Sequence, residues 1–273
     1  MRRSLLILLA ASACSSSLSP DGEVPINAKT GDDGPINSKP GGDVPIVVSN
    51  AGVAYFGDVH QGNFWLGPVD YSESQWHNAC APSTKYPPLI QQLYGSNLMG
   101  LSNQLVLQSL NAGSGQLCDV CAELTANGVT LIAHVITYGD ETGPNDIDVS
   151  PEARAALHGD AGYTLTWRFV TCPTAAPIYY TFDGRDWSNV WYFRVWTRNS
   201  RVPVTNVEYK LGTGTWSGMN WQSDGAWEAD SQDFSGGFSL RVTSLEGQAI
   251  EDTLPGLNTF DPNTGIASHA NFQ

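Results

Sequence analysis

From Tyr163 to Thr243 the chain repeats one local pattern, a run of β-branched and aromatic residues followed by a cluster of turn formers. The runs are Tyr163–Val170, Trp191–Thr197, Val204–Leu211 and Phe238–Thr243, and none has helical periodicity. Strands at this spacing predict a sandwich of about 95 residues. Upstream, Gln104–Gln108 and Val129–Ile136 also read as strands, the second almost continuously apolar and so buried. Ser150–Leu157 reads as a short helix, with Ser150 as N-cap, Pro151 in the first turn and Glu152 near the positive dipole end. Pro88–Leu93 is a weaker helical segment. Only 15% of residues are charged, and Gly (28) and Pro (16) are plentiful, which favours strands and turns over long helices.

The N-terminus joins a basic start, Met1-Arg2-Arg3, to a short apolar run that ends in Ala11-Ser12-Ala13-Cys14. Residues 1–13 read as an export signal, too short to span a bilayer. The small residues before Cys14 resemble a bacterial lipobox, with Cys14 the lipidated residue and the chain's one expected membrane contact; ordinary cleavage is the alternative. Five cysteines leave one over in an oxidising compartment. With Cys14 set aside, Cys80, Cys118, Cys121 and Cys172 allow two bridges in three connectivities. Cys118-Asp119-Val120-Cys121 has the spacing of a redox or half-zinc motif, but no second such pair and no nearby His pair accompany it, so no metal site is expected. Residues 14–50 repeat Gly, Pro, Ile and Asn with little apolar surface to bury, as in Gly22–Asn27 and Gly34–Asn37, and read as an extended tether.

A formal net charge of −14 argues against nucleic acid, which is bound through Lys and Arg clusters. Acidic pectin is a poor electrostatic match, whereas a neutral glucan carries no such penalty; the acidity also serves solubility. Nine Trp and ten Tyr are many for 273 residues, and flat rings cover the apolar faces of pyranoses. No cofactor is implied, and no motif suggests more than a monomer.

Several segments line up in order: Gly57-Asp58-Val59-His60-Gln61-Gly62, Cys118–Leu124, Asp146–Ala153, Trp167–Pro173, Arg198-Asn199 before Pro203-Val204, Asn220–Ser223 and Phe238–Thr243. Their order and spacing over residues 55–255 resemble the expansin family in its microbial form. The resemblance implies an all-β chain, a six-stranded double-psi β-barrel (51–159) followed by an immunoglobulin-like cellulose-binding sandwich (160–256), with 257–273 as an irregular tail. It also implies bridges Cys80–Cys118 and Cys121–Cys172, and secretion to a cell wall.

Strict alternation on the Trp191–Thr197 strand would send Trp191 and Tyr192 to opposite faces, unless the strand begins there or is bulged. In expansins adjacent aromatics just before this strand form an exposed planar row on the cellulose side. Position assigns that row to Trp191 and Tyr192, with Trp221 as the third ring and Trp187 in reserve. Trp167, Trp196, Trp216 and Trp227 read as core.

The barrel is shared with inverting endoglucanases, and Asp148 matches the acid that expansins retain without the catalytic base. Here Thr137 or Tyr138 replaces the usual second Asp, unless Asp140 takes its role, and Trp65 stands where a small hydroxyl residue is usual. Asp140, Glu141 and Asp146 otherwise read as a solvated acidic loop. The implied function is non-hydrolytic loosening of cellulose-containing walls. The rivals are an inverting endoglucanase or a peptidoglycan lytic transglycosylase using Asp148 as acid, and a plain polysaccharide adhesin.

Overall fold

The structure is a computed structural model that describes residues 47–48, 54–67, 69–71, 79–80, 86–111, 116–139, 143–159, 163–183, 189–261 and 264–273. The export signal, Cys14, nearly all of the 14–50 segment, Asp140, Glu141 and Trp187 lie outside the described residues.

The first half runs β1 (Val47–Val48), β2 (Ala54–Leu66), α1 (Pro88–Tyr94), β3 (Leu98–Ser102), α2 (Asn103–Asn111), β4 (Cys121–Ala126), β5 (Val129–Gly139), β6 (Ile147–Val149), α3 (Pro151–Ala156) and β7 (Tyr163–Val170). β8 (Tyr179–Phe182), β9 (Tyr192–Arg198), β10 (Val204–Leu211), β11 (Ser217–Gly218) and β12 (Asn220–Trp221) follow. The last strands are β13 (Trp227–Asp230), β14 (Phe238–Ser244), β15 (Ala249–Leu254) and β16 (Ile266–Ala267).

β2, β6, β3, β5, β4 and β7 close into the six-stranded double-psi barrel, because β2 pairs with β7 as well as β6. The pairs β2–β6 and β3–β5 are parallel, and the others are antiparallel. Alternation along each strand fills the interior with Phe64, Leu101, Leu124, Val135, Val149 and Trp167. The sheets β11-β10-β14-β15 and β12-β13-β9-β8-β16 enclose a second core around Phe182, Phe193, Phe234, Phe238 and Leu240.

Three expectations are corrected. Gln104–Gln108 is helical, inside α2: Ser102 Oγ accepts from the Leu105 amide at 3.2 Å, an N-cap that starts a helix in a run that looks like a strand. The barrel does not end at 159, because β7 is the strand that closes the ring between β2 and β4. Nor is 257–273 an irregular tail: β16 adds an edge strand to β8, and Phe272 is buried in the sandwich core.

Both disulfides are present, Cys80–Cys118 and Cys121–Cys172. The Cys118–Cys121 pair therefore sends one cysteine to each bridge. Between them Asp119 takes a left-handed conformation, φ 65°, and turns its carboxylate to Arg198 of β9. Arg198 Nη1 meets Asp119 Oδ2 at 2.5 Å with both side chains buried, and the guanidinium lies 4.1 Å from the Tyr86 ring centroid. Burial pushes the Asp119 carboxyl up against the opposing pull of Arg198. Further contacts join barrel to sandwich around this pair. The Asn199 amide donates to the Tyr94 hydroxyl at 2.7 Å, Gln116 Nε2 donates to Thr197 Oγ1 at 3.2 Å, and the Cys172 amide donates to the Arg201 carbonyl at 2.8 Å.

Replacing Arg198 with Met is expected to lower unfolding free energy by roughly 3–5 kcal/mol, because it strands a buried carboxylate. The paired Asp119→Leu/Arg198→Met variant should recover much of the loss, and denaturant titration of the three chains checks both outcomes.

Candidate functional site

On the barrel, alternation places Asp148 on the outer surface, since its neighbours Ile147 and Val149 both point into the core. Register extends this position across four strands. Trp65 pairs with Asp148, Asp148 with Gly100, and Gly100 with Thr137. An aromatic ring, a carboxylate, an open glycine floor and a hydroxyl thus share one row. Trp65 is 37% exposed at its end.

The carboxylate has room only because two neighbours lack side chains. A Cβ on Gly67 would lie 2.6 Å from Asp148 Cγ, and one on Gly100 would lie 2.8 Å from Thr137 Cγ2 and 3.4 Å from Asp148 Cβ. Thr137 Oγ1 accepts from the Ala79 amide at 3.1 Å, which ties the row to the chain beside Cys80. Tyr138, the other candidate for the missing second acid, donates its hydroxyl to the Ser223 carbonyl of the sandwich, and burial pushes its phenol up to about 12. Asp146 is not a solvated loop carboxylate: it is buried, and its Oδ1 accepts from the Asn63 amide at 2.8 Å.

On the sandwich, β9 begins at Tyr192, so Trp191 lies in the preceding turn and escapes strand alternation. Both rings are open, Trp191 at 57% and Tyr192 at 36% exposure. Tyr192 is fixed from below: its hydroxyl donates to Glu228 Oε2 at 2.7 Å. Arg194, two residues along the same face, meets that carboxylate at 3.3 Å, Asp224 at 2.5 Å and Asp183 at 3.2 Å.

Trp221 behaves differently from the two open rings. It is half-buried against both hydrophobic cores, and it pairs across β13 with Trp227, which in turn pairs with Val195. Register therefore assigns it to the face of Phe193 and Val195 rather than that of Tyr192. It sits at the seam between the domains. Trp167, Trp196 and Trp227 are core as expected, but Trp216 is only half-buried and lies over Lys210 and Arg241.

A continuous path of contacts joins the barrel row to the ring pair. It runs from Thr137 to Ala79 and Cys80, then through the disulfide to Cys118, against which Gly225 packs so closely that a Cβ would lie 2.9 Å from the sulfur. Asp224 continues it to Arg194, and Glu228 to Tyr192.

Comparison with known proteins agrees with this architecture. No family model matches the chain. It is 26% identical over 113 residues to expansin YoaJ of Bacillus subtilis (strain 168), a stretch covering 41% of this chain and 47% of that one. The matched part thus spans about half the length of that relative. An expansin of Clavibacter michiganensis, solved as a mutant in complex with cellohexaose, superposes with a TM-score of 0.60 at 19% identity, covering 79% of this chain and 98% of that one. Its apo form gives 0.59 at the same coverage. The chain shares the two-domain fold of a solved bacterial expansin and is similar in sequence to another over part of its length.

Within this expansin-like fold, Gly67, Gly100, Arg194, Asp224 and Glu228 were not singled out from sequence. No local signal marks them, since Gly67 and Gly100 meet Asp148 only through long-range strand pairing. Cys121, His134 and Cys172 cluster with metal-ligand atom types within 4.8 Å. The two sulfurs are bonded to each other, and burial pushes His134 down to about 4, so the group is a packed disulfide beside a neutral imidazole.

Burial first, and then the Glu228 hydrogen bond, push the Tyr192 phenol from 10.0 up to about 12. A raised folded value means that this group's contribution to stability is full below pH 10 and is lost as pH rises through about 12. Glu228→Gln is expected to bring Tyr192 ionisation back toward its ordinary value. The tyrosinate absorbance difference between each chain and its Tyr192→Phe counterpart measures the shift.

Proposed function

We propose that the chain is a non-hydrolytic wall-loosening protein that binds cellulose and related neutral glucans and disrupts their non-covalent contacts. The observation that carries this reading is the exposure of Trp191 and Tyr192 together, at the start of a strand whose later aromatics, Phe193 and Trp196, are buried. Two open, adjacent rings suit the flat face of a glucan chain, with stacking worth roughly 1 kcal/mol per ring beyond area burial. The barrel row offers the second contact. There Trp65 supplies another ring, and Asp148 accepts hydrogen bonds from sugar hydroxyls. Gripping one glucan chain on the sandwich and a neighbour on the barrel competes with glucan–glucan contacts.

Among the described residues the barrel row holds one carboxylate, Asp148, which supports loosening over cleavage. Inverting hydrolysis requires two carboxyl groups roughly 6.5–9.5 Å apart, and Thr137 occupies the row where a second would stand. Export through the 1–13 signal belongs to the same reading. So does lipidation at Cys14, with 14–50 as the tether that carries the domains to the wall.

Trp191→Ala with Tyr192→Ala should weaken binding to crystalline cellulose by about tenfold or more, given ring stacking of roughly 1 kcal/mol each plus lost area. Asp148→Asn should keep that binding and abolish loosening, measured as creep of a cellulosic sheet under load. Reducing sugar or anhydro-muropeptides released by the wild type would overturn the non-hydrolytic reading.

A further inference from the structure

We propose that Glu228, Asp230 and Asp233 make the ring pair selective for uncharged glycans, repelling wall chains whose sugars carry carboxylates. The inference rests on the ring pair being the glucan-binding surface, and it assigns that surface a substrate class and the residues that enforce it.

Three observations place carboxylates around the rings. Asp230 is the direct cross-strand partner of Tyr192 and is exposed. Glu228 accepts the Tyr192 hydroxyl at 2.7 Å. Asp233 is exposed and precedes Phe234, whose amide donates to the carbonyl of Val190, the residue before Trp191, at 2.9 Å. Asp233 Oδ1 also accepts from the Ser235 amide at 2.9 Å, and hydrogen bonds from Ser235 hold this carboxyl below its ordinary value, so it is charged at neutral pH. The cation in this network, Arg194, is already matched by Asp183, Asp224 and Glu228. Its charge is therefore not left over for a ligand.

Range decides why these groups matter more than the net charge of the chain. At physiological salt the screening length is about 8 Å, so distant carboxylates act weakly on a bound sugar while those bordering the rings act fully. Toward a neutral glucan the same oxygens are useful, because carboxylates accept hydrogen bonds from sugar hydroxyls. Toward a uronate chain they set like charge against like at every residue, which selects against the wrong partner.

The test is a depletion assay with the full chain on amorphous cellulose and on insoluble polygalacturonate. It compares wild type, Asp230→Asn with Asp233→Asn, and Trp191→Ala. Asn at 233 retains the Oδ1 acceptor for Ser235, and unchanged circular dichroism reports an intact fold. At low salt the wild type should prefer cellulose, and the double variant should narrow that preference by about tenfold by gaining affinity for polygalacturonate. About 1 M salt, where the screening length is about 3 Å, should narrow it in the wild type too. A folded double variant with undiminished preference would overturn the proposal while leaving the ring surface standing, provided Trp191→Ala loses cellulose binding. If Trp191→Ala binds cellulose as the wild type does, the ring reading itself fails and the selectivity proposal falls with it.

Discussion

Asp119 and Arg198 meet at 2.5 Å with both side chains out of solvent, and each makes the burial of the other tolerable. The carboxylate belongs to the barrel, on the turn between the two bridged cysteines; the guanidinium belongs to β9 of the sandwich. Two bridges fix the turn, and the ion pair carries that fixed position across the domain boundary. Tyr86 and Tyr94 close over the contact from α1 and the segment before it. Around the pair, hydrogen bonds of Asn199, Gln116 and Cys172 and the packing of Trp196 against Tyr86 and Ile90 hold the domains together. Trp196 and Arg198 on one end of β9 are therefore buried, while Tyr192 on the other end is open.

That division of one strand is what gives the molecule a usable face. The same surface of β9 that docks on the barrel continues through Arg194 to the exposed rings. The turn at Asp224 and Gly225 serves both purposes, since its carboxylate orients Arg194 and its glycine rests on the Cys80–Cys118 bridge. The row of Trp65, Asp148, Gly100 and Thr137 is tied to that bridge through Ala79. A continuous path of packed contacts thus joins the barrel row to the ring pair.

Much of this was legible in the sequence, and the failures have physical causes. Strand periodicity and the N-cap at Ser150 are readable because each depends on near neighbours in the chain, whereas the placement of Trp191 and Tyr192 rests on the resemblance to expansins, since local alternation would part them. The helix α2 was missed because Leu105, Val106 and Leu107 look like a strand, and the deciding signal is one serine just before it. Strand β7 was assigned to the wrong domain, since closing a ring between β2 and β4 is a long-range event that no local pattern records. Trp221 shows the same limit: its position suited an exposed ring, but pairing with Trp227 turns it toward the cores. The Asp119–Arg198 pair, separated by 79 residues, left no trace beyond two charged residues in apolar surroundings.

Glycine explains why the barrel row presents a carboxylate at all. An outward Asp between two buried aliphatic residues is ordinary, but on most sheets its neighbours on the same face would cover it. Here the cross-strand neighbour is Gly100 and the chain after Trp65 turns past it at Gly67, so both sides of Asp148 are kept clear of side chains. Beyond Gly100 the row ends in the short Thr137, whose hydroxyl is engaged by a backbone amide. Asp148 thus stands in a row with an aromatic ring at one end and a hydroxyl at the other. Gly67 and Gly100 are what this arrangement depends on, since a side chain at either would be driven into the row.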